Sequence, residues 1–181
     1  MSSGSYIICI NLSESQHIHI GKLGEIFFQA GYYYYVGSAF NLKQKNALEN
    51  RVIRHLRPSA NKKMHWHIDY FLAADNISIK SVILVPSRVR EECEISQSIA
   101  KITGNYIEGF GCSDCDCKSH LYYSGEYIFN WIHTLKAIVF FNRNWSLETK
   151  HDYICVDERI NTFKNKHNYG WTTDVIHWLF L

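Results

Sequence analysis

The chain has 181 residues, 46% of them hydrophobic and 20% charged, with a formal net charge of +2. That length and apolar content suffice for one buried core and exclude disorder as a description of the whole chain. So small a net charge means that attraction to a polyanion must come from local clustering.

Ser5 to Leu12 is an apolar, β-branched run and predicts a strand. His17 to Ile20 alternates as a short strand does, and Gly21, Gly24 and Gly31 punctuate the stretch after it. Tyr32 to Val36, bounded by Gly31 and Gly37, predicts a second strong strand. The two long strands are expected to pair as an antiparallel hairpin, with the shorter pieces in the connection. Asn41 to Arg57 has helical character: Leu48, Val52 and Leu56 form a buried stripe, and Pro58 marks the stop. A short helix is expected after His65, within Met64 to Ala74. Ile79 to Val85, closed by Pro86, is a third strand. Arg90 to Ile102 predicts another helix with Ile95, Ile99 and Ile102 on one side and Gly104 at its end. Gly109 to Ser119 reads as a tight Gly- and Cys-rich loop, and His120 to Tyr123 as a closing strand. Beyond Ser124 the pattern weakens. An apolar run lies in Ile132 to Phe141, and Trp145, Trp171 and Trp178 come after it.

These elements predict an α+β domain over residues 1–125, with residues 126–181 as an extension packed on it. No segment is apolar for long enough to span a bilayer, and Met1-Ser2-Ser3-Gly4 lacks the basic and apolar regions of a signal peptide. A cytoplasmic protein with no membrane partner is therefore expected.

Arg51 and His55 stand four apart and share a helix face. Around them lie Lys43, Lys45, Arg54, Arg57, Lys62 and Lys63 against one acid, Glu49. This is either a basic patch suited to phosphates or a solvated helix face. His65, His67 and Asp69 make a second polar cluster, which would contact nucleic acid, support such a contact, or pack beside Trp66. Cys115, Cys117 and His120, with Cys93 or Cys112 as a fourth ligand, suit tetrahedral zinc in a structural role; the other reading is a buried thiol cluster.

In order along the chain stand Gly4-Ser5-Tyr6, GKLG (Gly21 to Gly24), GYYYYVGSA (Gly31 to Ala39), RVIRHLR (Arg51 to Arg57), HWHIDY (His65 to Tyr70), Glu92-Cys93 and GFGCSDCDCKSHLYY (Gly109 to Tyr123). The series resembles the GIY-YIG nuclease superfamily, and within it a branch of uncharacterised prokaryotic proteins sometimes fused or annotated alongside endonuclease III. The likeness covers roughly residues 4–123. It implies a GIY-YIG-like fold, a small central antiparallel sheet of about three main strands flanked by helices. It implies metal-dependent hydrolysis of nucleic-acid phosphodiesters, with a place in DNA repair and with DNA ahead of RNA as partner.

The resemblance gives Tyr6 and Tyr35 from two paired strands, Arg51 from the following helix and Glu92 from a later one as catalytic residues. Glu92 would bind magnesium or manganese, and Arg51 would neutralise the scissile phosphate. Tyr6 would be the general base or position the water. An unperturbed tyrosine titrates near ~10, so a tyrosinate needs positive charge beside it. Ser38 stands where some members carry a lysine, which gives His55 weight as base or as partner of Tyr6. Ser38, Arg54, Arg57, Lys62, Lys63 and His67 are the expected nucleic-acid contacts. Two other readings stand beside this one: a nucleic-acid-binding module without turnover, and a zinc-stabilised interaction domain.

Overall fold

The computed structural model describes residues 3–40, 47–128, 139–141 and 153–155. β1 (Gly4–Leu12) runs into a small hairpin of β2 (Gln16–His19) and β3 (Glu25–Phe28), and β4 (Gly31–Ala39) returns antiparallel to β1. α1 (Ala47–Leu56), α2 (His67–Phe71), β5 (Ile77–Pro86) and α3 (Glu92–Thr103) come next, then two short strands, β6 (Asn105–Tyr106) and β7 (Leu121–Ser124). β8 (Val139–Phe141) and β9 (Tyr153–Cys155) form a separate antiparallel pair.

The fold is mixed α+β, and its main sheet has the strand order β5-β1-β4-β7-β6. It therefore has five strands where about three main ones are expected. The three long strands are the predicted ones. β7 falls on the expected closing strand, His120 to Tyr123, shifted by one residue, and pairs with β4; β6 is too short to show a period-2 pattern and joins the sheet through its pairing with β7. β4 is also longer than its sequence signal, because Gly37 continues the ladder opposite Tyr6 rather than ending it.

The continuous apolar character of β1 and β4 follows from burial on both faces. One face carries Tyr6, Ile8, Ile10, Tyr33, Tyr35, Val82 and Leu84, and packs on α1, α2 and the β2–β3 hairpin through Leu48, Val52, Ile68, Phe71 and Phe28. The other face carries Ile7, Cys9, Tyr34, Val36, Ile83 and Val85, and packs on Ile95 and Ile99 of α3 and on Ile128. Full burial of such side chains contributes roughly 1.5–3 kcal/mol each. Of the stripes expected on the helices, Leu48, Val52, Ile95 and Ile99 are buried and Leu56 is partly so. Ile102 is not: it is 41% exposed in the last turn of α3. Gly104 ends α3 in the left-handed conformation, at φ +68°.

The predicted start of α1 at Asn41, the basic residues Lys43 and Lys45, and Trp145, Trp171 and Trp178 lie outside the described residues. Among those described, no helix is long and apolar enough to cross a membrane.

Candidate active site and a neighbouring thiol cluster

A pocket of about 260 Å³ is lined by Tyr6, Tyr35, Ser38, Arg51, His55 and Glu92, joined by Trp66, His67 and by Gly111, Ser113 and Asp114 of the Cys-rich loop. Residues spread from the first strand to that loop thus meet at one place. The pairing register explains how two tyrosines come together. Tyr6 faces Gly37 and Ile8 faces Tyr35, so Tyr6 and Tyr35 are diagonal neighbours on one face, with ring centroids 6.2 Å apart. Gly37 leaves the space that the Tyr6 ring occupies; a Cβ there would collide with the ring.

His55 points inward from α1 and is 2% exposed. Its Nε2 lies 2.8 Å from the Tyr6 hydroxyl, and its Nδ1 lies 3.3 Å from Asp69 Oδ1. An ionised carboxylate only accepts, so Nδ1 carries the proton and Nε2 accepts from Tyr6. Burial lowers the His55 pKa, and the Asp69 carboxylate offsets this only in part, so the resting imidazole is neutral. Asp69 is fully buried. Burial alone would raise its pKa. Hydrogen bonds from His55, from Arg54 and from the Trp66 and His65 amides outweigh that and hold it well below the usual carboxylate range.

Asp69 is the hub, a part that its place in a polar cluster of the sequence only loosely suggests. Arg54 forks its carboxylate through contacts of 3.1 Å, and Lys62 Nζ lies 3.5 Å from Oδ1 while also donating to the His55 carbonyl. The charges of Arg54 and Lys62, both expected to face nucleic acid, are directed at Asp69. Arg57 and Lys63 are exposed beyond them. Trp66 has a part that the sequence does not announce: the Arg54 and Arg51 guanidinium carbons lie 4.0 and 4.5 Å from its ring centroid, which holds Arg51 at the pocket. Asp69 left one sequence signal, an acid in the first turn of a short helix, where it captures the first free amides.

Tyr6 is 1% exposed and its pKa is raised well above 10, first by burial and then by Tyr35, with Arg51 opposing. The Tyr35 pKa is raised too, chiefly by burial. Neither is a tyrosinate at neutral pH.

Glu92 opens α3, whose first turn favours carboxylates electrostatically. Ser38 Oγ donates to its Oε2 at 2.5 Å, and His120 Nδ1 lies 3.2 Å from its Oε1. Burial opposes ionisation of Glu92, but the His120 and Ser38 contacts outweigh it and lower the pKa. His67 Nδ1 accepts the Gly111 N–H at 3.1 Å and so ties α2 to the Cys-rich loop. Gly111 has φ +75°, and a Cβ there would stand 3.2 Å from Tyr35 and 3.3 Å from His120.

Behind Glu92 lies the thiol cluster. The ligand atoms of Cys93, Cys115, Cys117 and His120 all lie within 4.8 Å of one another, a set able to hold a metal ion. Of the two expected fourth ligands, the structure brings Cys93 to the cluster rather than Cys112.

The family model for the domain of unknown function DUF123 matches residues 5–139. No curated protein and no solved structure matches this chain. The chain belongs to the DUF123 family.

Proposed function

We propose that the pocket hydrolyses phosphodiester bonds of nucleic acid by GIY-YIG-type chemistry, as an endonuclease with DNA ahead of RNA as substrate. The observation that carries this reading is the convergence of Tyr6, Tyr35, Arg51, His55 and Glu92 on one pocket. Phosphodiester hydrolysis needs an activated water, neutralised phosphate charge and a stabilised leaving oxygen.

The Tyr6–His55–Asp69 chain supplies the base. As water attacks phosphorus, its proton passes to the Tyr6 oxygen while the Tyr6 proton passes to His55 Nε2. Asp69 then steadies the imidazolium, and the P–O bond to the leaving oxygen breaks, with solvent supplying that oxygen's proton. The relay has the logic of a Ser-His-Asp triad, with a phenol that carries a proton in place of a hydroxyl that attacks. It needs no standing tyrosinate, which burial of Tyr6 opposes. Tyr35 packs beside Tyr6 and fixes its ring. Arg51 presents its planar fork to phosphate oxygens.

Glu92 fits a magnesium ion: it is an ionised carboxylate facing the pocket beside the Ser38 hydroxyl, with Asp114 also on the pocket wall, as suits an ion that takes one or two carboxylates and keeps several waters. Bound there, magnesium or manganese would neutralise phosphate charge. A carboxylate near a phosphate repels it unless a cation intervenes, and this favours hydrolysis over mere binding.

The test is cleavage of labelled branched, flapped and single-stranded DNA and RNA with magnesium or manganese, beside Glu92→Gln. Cleavage by the wild type, lost in Glu92→Gln with nucleic-acid binding retained, is expected. Arg51→Ala should weaken both. Normal cleavage by Glu92→Gln would refute the role given to that carboxylate. Salt-sensitive binding without cleavage by either protein would make the chain a binding module.

A further inference from the structure

We infer that Cys93, Cys115, Cys117 and His120 hold a zinc ion, and that this ion, through His120, sets the position of Glu92 in the neighbouring pocket. The ion site stands on its own geometry; the consequence for catalysis rests on the function proposed above.

A tetrahedron with Zn–S bonds of ~2.3 Å has edges of ~3.8 Å. The four ligand atoms already lie within 4.8 Å of one another, and Cys115 Sγ stands 3.4 Å from His120 Nε2. Three sulfurs and one imidazole select zinc over the hard, oxygen-seeking magnesium. The ligands come from two places, Cys93 in the first turn of α3 and the others in the loop that Ile107 and Leu121 close by a backbone hydrogen bond. One ion would therefore clip the loop to the helix. On the far side the sulfurs border a second pocket of about 560 Å³, lined also by Tyr106 and Tyr122, which gives an ion a way in.

His120 makes the connection. Its amide donates to Phe110 O and its carbonyl accepts from the Val36 amide, so its backbone is fixed on both sides. Its side chain is buried, with Nε2 towards the sulfurs and Nδ1 3.2 Å from Glu92 Oε1, but Nδ1 lacks an aligned hydrogen bond. An ion on Nε2 places the remaining ring proton on Nδ1, facing the carboxylate. This is the carboxylate–histidine–metal arrangement, in which the outer carboxylate orients the ligand and is itself held by it. Glu92 and Cys93 are adjacent in sequence, so one turn of helix serves both sites.

The experiment uses the purified chain, its zinc content, its zinc affinity by competition with a chromogenic chelator, and the visible spectrum after cobalt replaces zinc. A single zinc per chain is expected, lost in Cys117→Ser and kept in Cys112→Ser. Glu92→Gln should keep the ion, bind it ~10- to 100-fold more weakly, and shift the cobalt bands, since the partner of its histidine ligand has changed. A wild type without zinc, or loss of zinc in Cys112→Ser, would overturn the site. Wild-type zinc affinity and an unchanged cobalt spectrum in Glu92→Gln would overturn the coupling. None of these readings involves nucleic acid, so failure here and failure of the nuclease reading are told apart.

Discussion

His55 stands between a phenol it can deprotonate and a carboxylate it cannot, and this ordering makes its chemistry testable. Tyr6→Phe removes the proton carrier and His55→Gln removes the acceptor. Each should lower cleavage ~100- to 10,000-fold, the usual weight of a general base. If the relay is one unit, the double variant should lose little more than either single one. The relay requires neutral His55, whose pKa lies below 6.5. The acid limb of kcat/KM should therefore fall below pH ~6.5, and a limb at or above an ordinary imidazole value would contradict the assignment. Asp69→Asn leaves Arg54 and Lys62 facing a neutral amide, and loss of one partner from a buried ionic cluster costs about 3–5 kcal/mol, read by thermal denaturation. The two groups also fix the sign of the pH dependence. As pH drops below ~6.5, unfolded His55 takes up a proton that the folded chain resists, so stability declines. The stability due to the depressed Asp69 is present above ~pH 3.9 and is lost as pH falls through that value and below.

At the scale of elements, the close fit of β1 to β4 sets the phenol's position. Gly37→Ala places a methyl where the Tyr6 ring lies. Overpacking of this kind costs about 1–3 kcal/mol, and a shift of Tyr6 by ~1 Å costs ~100-fold in rate. A Gly37→Ala variant with wild-type turnover would mean that Tyr6 need not sit over Gly37. The sequence shows β1, β4, β5, α1 and α3 clearly, because each is long enough to display its period. β3 and β6 have no such signature: Glu25–Phe28 is only four residues long, between Gly24 and Gly31, and Asn105–Tyr106 is a strand only because β7 lies beside it. The site divides along the same line. Tyr6, Tyr35, Arg51 and Glu92, which line the pocket, stand in sequence motifs carried by strong elements. The part of Asp69 is not, since it depends on α1 and α2 meeting, a contact that local pattern does not encode. The same holds for the charge cluster: spacing shows that Arg54 and Lys62 are basic and near one another, not that both meet the Asp69 carboxylate.

The whole molecule contributes a modest electrostatic surface, consistent with its net charge of +2. Arg57 and Lys63 are exposed. Replacing either by alanine should reduce the slope of log affinity against log salt by about 0.9 for duplex DNA. Arg54→Ala, by contrast, should act mainly on thermal stability, because its guanidinium is committed to Asp69. An equal change of salt slope in all three variants would refute that division. The site also depends on long-range pairing, since β1 lies between β4 and β5 and Tyr6 shares its pocket with residues from four later elements. Such distant contacts make folding slow relative to a helical domain of similar size.

The stack of Arg51 on Trp66 gives the pocket an optical voice. Indole emission responds to a cation held 4.5 Å from its ring, and a phosphate that draws the guanidinium away changes that environment. The difference in fluorescence between the wild type and Trp66→Phe isolates this tryptophan from the other four. Titrated with a short oligonucleotide in Glu92→Gln, which is expected to bind without cleaving, that difference signal should change as the pocket fills and should stay flat when Arg51→Ala is added, so that occupancy is followed while no bond is cut.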